Sequence, residues 1–292
     1  MDQRLLRQFV NLAEALHFGR ASEASHISSS ALSRNIRQLE DELGVALFDR
    51  DNRSVSLTHS GELFLDYARD ALSQWDALRT TLMERAGELH GEVSIYCSVT
   101  ASYSFLFELL SRFRDEYPHV EIKLHTGDPE DALQRVRSGA EDIAIGARPD
   151  VLSTDMAFKP VARTPLVFIA ARSGDYRARL RGRAGAEAWR DMPMILSESG
   201  LSRRRVDEWF QGRNIQPNIY AQVAGNEAIV SMVSLGFGIG VVPKIVLDNS
   251  PLAETVEEIR VRPTLAPYEV GLLALTRRLR SPLISAFWSL QK

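Results

Sequence analysis

Residues 28–44 read SSSALSRNIRQLEDELG, and this stretch decides the fold of the N-terminal part of the chain. Its apolar residues recur at i, i+4, i+7 and i+11, which predicts a helix over about 29–43 with one buried face. Serine is a favourable N-cap and glycine a favourable C-terminal stop, so Ser28 and Gly44 are expected to bound the helix. The opposite face carries serines and arginines, with no acid before Glu40.

The preceding residues predict two further helices. Residues 5–16 repeat the same apolar spacing, Gly19 interrupts it, and a short helix over 20–25 leads into a turn at 26–28. Two helices joined by a short turn, the second with a Ser/Arg face, are typical of a helix-turn-helix, whose arginines can bind guanine in the major groove. The candidate DNA-binding residues on this face are Ser28, Ser29, Ser30, Ser33, Arg34 and Arg37. From the helical pattern alone, a solvated helix in a small bundle accounts for this face about equally well.

A β-wing is predicted to follow. Residues 45–48 and 54–57 have strand character, and 51–53 form the turn between them. Arg50 and Arg53 flank that turn, where they can reach phosphate or the minor groove. The wing favours DNA binding over a small bundle, whereas bulk charge does not: the chain carries −3, and residues 1–57 hold seven arginines, no lysine and eight acids.

A long helix is predicted from the cap residue Thr58 to about residue 86. Its apolar residues alternate in steps of three and four, which is a heptad-like seam that a lone helix has to bury. A second copy of the chain is the simplest partner, so we expect dimerisation here. The seam comprises Phe64, Ala68, Ala71, Trp75, Leu78 and Leu82.

The pattern changes after a linker at 87–91. Strands are predicted at 93–97, 120–124, 142–146, 166–170, 194–197, 220–223, 239–243 and 269–275, and helices at 105–117, 129–139, 203–212, 226–236 and 282–290. This alternation predicts parallel α/β sheet in two lobes with a cleft between them. The expected fold is α/β. It has a winged helix-turn-helix (1–58), a linker helix (59–90) and an effector-binding domain of the periplasmic-binding-protein type (91–292). Lobe I of that domain is 91–161 with 268–292, and lobe II is 162–267.

Composition limits the classes of protein that remain. The chain has 292 residues, 45% hydrophobic and 25% charged, which fits a globular protein of more than one domain. No apolar run approaches the roughly 20 residues of a membrane span, and the N-terminus lacks a signal-peptide core, so a cytoplasmic location without membrane contact is expected. The single cysteine, Cys97, excludes an intramolecular disulfide and a multi-cysteine metal site.

Small-molecule binding is predicted at the strand ends of the two lobes. In α/β sheets, ligands bind at the C-terminal ends of strands and against helix N-termini. The residues at these places offer hydroxyls, backbone amides and one arginine for a small hydroxylated keto-acid, although each hydroxyl taken singly caps a helix equally well. The candidates are Ser98, Thr100, Ala101, Ser102, Thr126, Gly127, Gly146, Ser197, Arg203 and Asn226.

Three other features are interpreted as structural. The glycines of 236–240 (GFGIG) follow a helix and precede a strand, which is the reverse of a dinucleotide loop. The six histidines lack metal-ligand spacing, and a lone thiol in a strand is usually inert. No Ser/His/Asp or phosphate-loop signature appears, so we expect neither enzyme activity nor a cofactor or metal.

The N-terminal stretches resemble the LysR family of transcriptional regulators. The resemblance lies in 18–22 (FGRAS), 28–44, 47–50 (LFDR) and the Leu-Thr and Ser-Gly pairs of 57–61. Many members carry Gln-Pro where this chain has Ser29-Ser30. The resemblance implies a DNA operator as partner, RNA polymerase as a further one, and a tetramer built from dimers through the long helix.

Further stretches resemble one branch of that family, the activators of the ketol-acid reductoisomerase gene of isoleucine and valine synthesis. That resemblance implies a 2-hydroxy-3-oxo carboxylate effector, either 2-acetolactate or 2-acetohydroxybutyrate. The alternative is a cytoplasmic binding protein or enzyme that uses its N-terminal helices only for assembly. The stretches are 17–20, 51–58, 97–104, 120–128, 202–210, 226–238, 246–251 and 286–288.

Overall fold

The structure is a computed structural model that describes residues 2–50, 55–84, 89–176, 178 and 186–291. Within α4, defined below, the side chains of residues 73, 76, 77 and 79–84 are outside this description, as are those of 186 and 187. The chain divides into two compact units, Met1–Leu89 with Arg280–Pro282, and His90–Leu279 with Leu283–Lys292.

The first unit begins with three helices, α1 (Gln3–Ala15), α2 (Phe18–Ala24) and α3 (Ser29–Leu43). The predicted bounds of α3 are confirmed: the Ser28 hydroxyl accepts a hydrogen bond from the Ala31 amide, and Gly44 ends the helix at φ 71°. The inward faces of the helices form one core with the wing and the next helix. Its buried members are Leu6, Phe9, Leu12, Ala13, Ala21, Leu32, Ile36, Leu39, Leu47, Phe48 and Ala68.

The wing strands, β1 (Phe48–Arg50) and β2 (Val55–Leu57), form an antiparallel hairpin with Phe48 opposite Leu57. The predicted first strand, 45–48, therefore begins too early. The Leu47 amide donates to the side chain of Glu40 at 2.9 Å rather than to a neighbouring strand, so the chain before Phe48 is held by α3. The turn at 51–53 lies outside the described residues.

Helix α4 (His59–Glu84) has 26 residues. The predicted cap is confirmed, because the Thr58 hydroxyl accepts a hydrogen bond from the Gly61 amide at 2.9 Å. The first turn of α4 packs directly against the backbone at Leu47, because a Cβ atom at Gly61 would collide with the Leu47 carbonyl oxygen. The start of α4 and the base of the wing are thus packed in contact.

The second unit contains two five-stranded sheets and the remaining helices. The strands are β3 (Gly91–Cys97), β4 (Val120–Thr126), β5 (Ile143–Ala147), β6 (Met156–Thr164), β7 (Leu166–Ala171), β8 (Pro193–Ser197), β9 (Asn218–Val223), β10 (Ile239–Pro243), β11 (Val256–Ile259) and β12 (Tyr268–Leu275). The helices are α5 (Val99–Ser104), α6 (Leu106–Glu116), α7 (Ala132–Arg137), α8 (Ala186–Arg190), α9 (Gly200–Gln211), α10 (Asn226–Ser234), α11 (Lys244–Asp248) and α12 (Pro282–Leu290).

The predicted parallel pairing is confirmed for β3 with β4 and β5 and for β8 with β9 and β10, but both sheets are mixed. The first sheet, in lobe I, has the order β4-β3-β5-β12-β6, and the second, in lobe II, has the order β11-β7-β10-β8-β9. Because β6 runs to Thr164, the first sheet extends past the predicted end of lobe I at residue 161. Strand β12 is antiparallel to β5 and β6, and β7 is antiparallel to β10 and β11. The chain passes from the first sheet to the second between β6 and β7 and returns with β12. The first strand after each crossing, β7 in the second sheet and β12 in the first, is therefore antiparallel to its neighbours.

Several elements lack a clear signal in the sequence. Strand β6 contains Pro160, and a proline in a sequence usually indicates the end of a strand. An edge strand tolerates it because its outer amides need no partner. Helix α5 has only six residues and begins at the Ser98 cap. Strand β11 and helix α11, of four and five residues, also went unpredicted. Among the described residues, no helix combines the length and apolar character that crossing a membrane requires.

Candidate functional site

The outer face of α3 presents the arginines that the sequence singled out. Arg34 and Arg37 are exposed, whereas Ser33 is half-buried. The Ser29 hydroxyl contacts the Ser22 hydroxyl at 2.8 Å, which joins α3 to α2. Gln38, absent from the sequence-based set, is exposed beside Arg37. Ser28 and Ser30 are exposed as well, and their hydroxyls contact each other at 3.1 Å.

Arg50 ends β1 beside the wing turn, as predicted, but its guanidinium is held by other parts of the first unit. Its guanidinium bonds Glu40 at 2.6 Å and lies over the Phe18 ring, 5.3 Å from the ring centre. The same Glu40 carboxylate accepts the amides of Leu47 and Phe48 at 2.9 and 3.1 Å. Arg50 thus ties the wing to α3 and α2, a correction to its expected role at phosphate. Arg53 lies outside the described residues.

The apolar seam of α4 is only partly available to another chain. Phe64 packs edge-on against Phe9, with ring centres 4.8 Å apart, and Ala68 is fully buried in the core of the first unit. Ala71 packs against the same core. Ala68 is therefore corrected to an intrachain contact, whereas Phe64 and Ala71 are only partly buried and their place in a dimer seam stays a prediction. Trp75 and Leu78 are each 52% exposed, while the side chain of Leu82 lies outside the described residues.

Two residues missing from the predicted seam extend its exposed part. Leu63 and Tyr67 are 61% and 52% exposed. They precede Trp75 and Leu78 at helical spacing, so α4 presents one continuous apolar stripe beside the face that it buries. We call Leu63, Tyr67, Trp75 and Leu78 the α4 stripe.

The second unit contains a small cavity between its two sheets, with a volume of about 40 Å³. Five predicted effector residues line it, together with Phe105, Pro129 and Tyr268 from outside the predicted set. Lobe I provides the start of α5 and the end of β5, and lobe II provides the start of α10. The five predicted residues are Ser98, Thr100, Ala101, Gly146 and Asn226.

Arg203, the predicted carboxylate ligand, is not among the lining residues. Its guanidinium makes bonds of 3.0 Å to both oxygens of Asp207, and further bonds to the Ser197 carbonyl and to Gln222. These partners, which lie on α9, β8 and β9, occupy the guanidinium. The roles predicted for Arg203 and Ser197 are therefore corrected to bracing of α9 against the second sheet.

Three further candidates also lie outside the cavity lining. Thr126 is exposed at the end of β4, and the Ser102 hydroxyl donates to the Val99 carbonyl within α5 at 2.6 Å. Gly127 lies against the Tyr96 hydroxyl, where a Cβ atom would collide. Its small size therefore serves packing in lobe I.

Two glutamates that bond residues of the cavity lining had no signal in the sequence. Glu227 of α10 accepts hydrogen bonds from both the amide and the hydroxyl of Thr100, at 2.9 and 2.6 Å. Glu130 accepts the Leu201 amide at 3.2 Å and the Tyr268 hydroxyl at 3.3 Å. Burial raises the pKa of Glu130 above its usual value, and nearby Asp128 adds to this, while the Leu201 amide opposes it.

The single cysteine is part of the core. Cys97 is fully buried at the end of β3, and this burial raises the pKa of its thiol to about 11. A neutral buried thiol is a poor nucleophile, in line with the structural interpretation of its sequence context. Among the described residues, no group of histidine, cysteine and carboxylate side chains has the arrangement of a metal site.

Comparison with known families gives two matches that together span almost the whole chain. Residues 3–62 match the bacterial regulatory helix-turn-helix protein, lysR family, and residues 86–291 match the LysR substrate binding domain. The transcriptional activator IlvY of Salmonella typhimurium is 43% identical over 300 residues, covering 99% of each chain.

Solved structures show the same fold. A full-length OxyR variant from Pseudomonas aeruginosa has a TM-score of 0.72 at 24% identity, over 99% of this chain and 94% of that one. Full-length CbnR in complex with its target DNA has a TM-score of 0.64 at 21% identity, over 100% and 99% of the two chains.

Proposed function

We propose, from the premise that this chain belongs to the LysR family of transcriptional regulators, that it activates the ketol-acid reductoisomerase gene of isoleucine and valine synthesis. The chain is an IlvY-like, DNA-binding activator and not an enzyme. The observation that carries the choice of target is the 43% identity to IlvY over 99% of both chains. A match along the whole length includes the parts that read DNA and the parts that sense the effector.

DNA recognition is assigned to the exposed face of α3. Arg34 and Arg37 are exposed there, and an arginine can make two parallel hydrogen bonds to guanine. Gln38 adds an amide suited to adenine. The segment containing Arg53 would contribute contacts to the DNA backbone, whereas the contacts of Arg50 with Glu40 and Phe18 support a structural role.

Assembly is assigned to the α4 stripe. Family members bind DNA as oligomers, and a stripe of large apolar side chains on one helix is stabilised when a second copy covers it. Two such dimers would form the working tetramer, with RNA polymerase as its partner at the promoter. This activity requires the compartment that holds the DNA, so we place the protein in the cytoplasm.

The effector is assigned to the cavity between the sheets of the second unit, as 2-acetolactate or 2-acetohydroxybutyrate. The cavity combines an apolar lining with a few polar groups, of which Ser98, Thr100 and Asn226 suit a hydroxyl, a ketone and a carboxylate. Its volume of about 40 Å³ is far below the several hundred typical of small-molecule sites. Binding of either acid therefore requires the lobes to separate.

The proposed target can be tested with the host's DNA upstream of its ketol-acid reductoisomerase gene. Fluorescence anisotropy should show tight binding to this DNA and at least roughly 1000-fold weaker binding to a scrambled duplex at the same salt. In vitro transcription with RNA polymerase should then rise with 2-acetolactate. Equal affinity for both duplexes would exclude this target, and specific binding without a response to either acid would exclude only the effector.

A further inference from the structure

Two glutamates cross the cleft of the second unit in opposite directions. Glu227 belongs to lobe II and holds Thr100 of lobe I through two hydrogen bonds, to its amide and its hydroxyl. Glu130 belongs to lobe I and holds the Leu201 amide of lobe II. Each lobe thus extends one carboxylate toward the other, and each glutamate also bonds a residue of the cavity lining, Thr100 for Glu227 and Tyr268 for Glu130.

Both contacts are favourable in the closed cleft. Hydrogen bonds to an ionised carboxylate are shorter and stronger than those between neutral groups, and the 2.6 Å bond from the Thr100 hydroxyl has the length of such a bond. Thr100 is 2% exposed, so water cannot replace Glu227 without the lobes moving apart. Opening the cleft therefore breaks two bonds to one carboxylate at the same time.

The second contact is formed where the backbone leaves room for it. Gly200 has a φ of 87°, in the region that favours glycine, and a Cβ atom there would collide with the Glu130 carboxyl group. The Tyr268 hydroxyl holds the other carboxyl oxygen at 3.3 Å. Glu130 therefore lies against the first turn of α9 only because residue 200 has no side chain.

We propose that Glu130 and Glu227 form a two-point latch that holds the cleft closed, and that an effector binds only after Glu227 leaves Thr100. The latch itself does not depend on the identity of the effector, whereas the displacement of Glu227 rests on the proposed effector site. Because the hydroxyl and amide of Thr100 both donate their protons to Glu227, neither can donate to the carboxylate of an incoming acid while Glu227 remains. The latch sets the fraction of binding-competent protein, and this fraction scales the apparent affinity.

Hydrogen exchange of the full-length, ligand-free protein tests the latch. Glu227→Ala should accelerate exchange of the Thr100 amide, and also of the Leu201 amide across the cleft, because loosening one contact releases the other. Losing hydrogen bonds to a charged group predicts acceleration of roughly 10- to 100-fold. Glu227→Gln, which keeps the acceptor oxygen, should show a smaller effect. Unchanged exchange at Leu201 in Glu227→Ala would overturn the latch.

A matched control and a ligand titration complete the test. Glu208→Ala removes an exposed glutamate from α9 of the same lobe and should leave both amides protected. With 2-acetolactate as the probe, calorimetry on Glu227→Ala should give a tighter dissociation constant than wild type, by roughly tenfold. Weaker binding would show that Glu227 holds the ligand and would overturn the displacement. No binding to any variant at millimolar concentration would refute the proposed effector and the displacement that rests on it, while exchange at Leu201 still decides the latch.

Discussion

Glu40 is expected to hold the wing, and Glu40→Ala tests this. One carboxylate oxygen accepts the amides of Leu47 and Phe48, and the other bonds Arg50. Leu47 and Phe48 are only 1% and 4% exposed, so their amides lose their partner without gaining free access to water. A buried amide without a partner costs about 1–3 kcal/mol, and part of that cost is recovered by relaxation of the wing. We expect a total loss of about 2–4 kcal/mol of local stability.

Hydrogen exchange of residues 44–50 in the full-length protein measures this loss. Since 1.4 kcal/mol is a factor of ten, exchange should accelerate by roughly 30- to 700-fold. Asp41→Ala removes the next carboxylate along the helix, which is exposed, and should leave the segment protected. Glu40→Gln should fall between the two because it keeps an acceptor oxygen. Exchange in Glu40→Ala within threefold of wild type would refute the assignment of the wing's stability to Glu40.

Three further outcomes are expected. Arg34→Ala should weaken binding to the specific operator by about 1–3 kcal/mol in fluorescence anisotropy, with little change for scrambled DNA, and an equal loss for both would show that it contacts phosphate. Leu78→Glu should raise the dimer dissociation constant at least roughly 100-fold in analytical ultracentrifugation, because dimerisation would bury a charge without a partner. The control Leu43→Glu, at an exposed site on α3, should leave the dissociation constant unchanged. The pKa of Cys97, about 11, leaves about one thiol in a thousand ionised at pH 8. Cys97 should therefore resist a disulfide reagent in the native protein and react at once in denaturant. A rapid reaction of the native protein would contradict its burial.

The local part of this fold was predictable from the sequence, because caps and periodicity act within a few residues. Helix α3 begins and ends where its serine, glycine and leucine spacing indicates, and α12 (Pro282–Leu290) also has its predicted bounds. Arg50 was misread because its partner, Glu40, lies ten residues away on another element, and no local pattern announces that pairing. The same holds for Arg203, whose partners Ser197 and Gln222 come from two strands.

The seam of α4 shows a second limit. A heptad-like pattern states that a face has to be buried but not what buries it. Here Phe64 and Ala68 are covered by the chain's own first helix, while Trp75 and Leu78 stay exposed. In the cleft, the sheet pattern pointed to Ser98 and Thr100, which line the cavity, but also to Ser102, Thr126 and Ser197, which do not, and it gave no sign of Glu130 and Glu227. Their partners lie 71 and 127 residues away, so only the folded chain brings them together.

The contact between Gly61 and the Leu47 carbonyl couples the direction of α4 to the position of the wing. With 26 residues at 1.5 Å each, the helix is about 39 Å long. A rotation of about ten degrees at its far end, transmitted without slack through that contact, displaces the DNA-reading end by about 7 Å. Successive base pairs are about 3.4 Å apart, so this small angular change shifts the protein by about two steps along the duplex. The length of α4 therefore makes the position of the DNA-reading face sensitive to small changes in the direction of this helix.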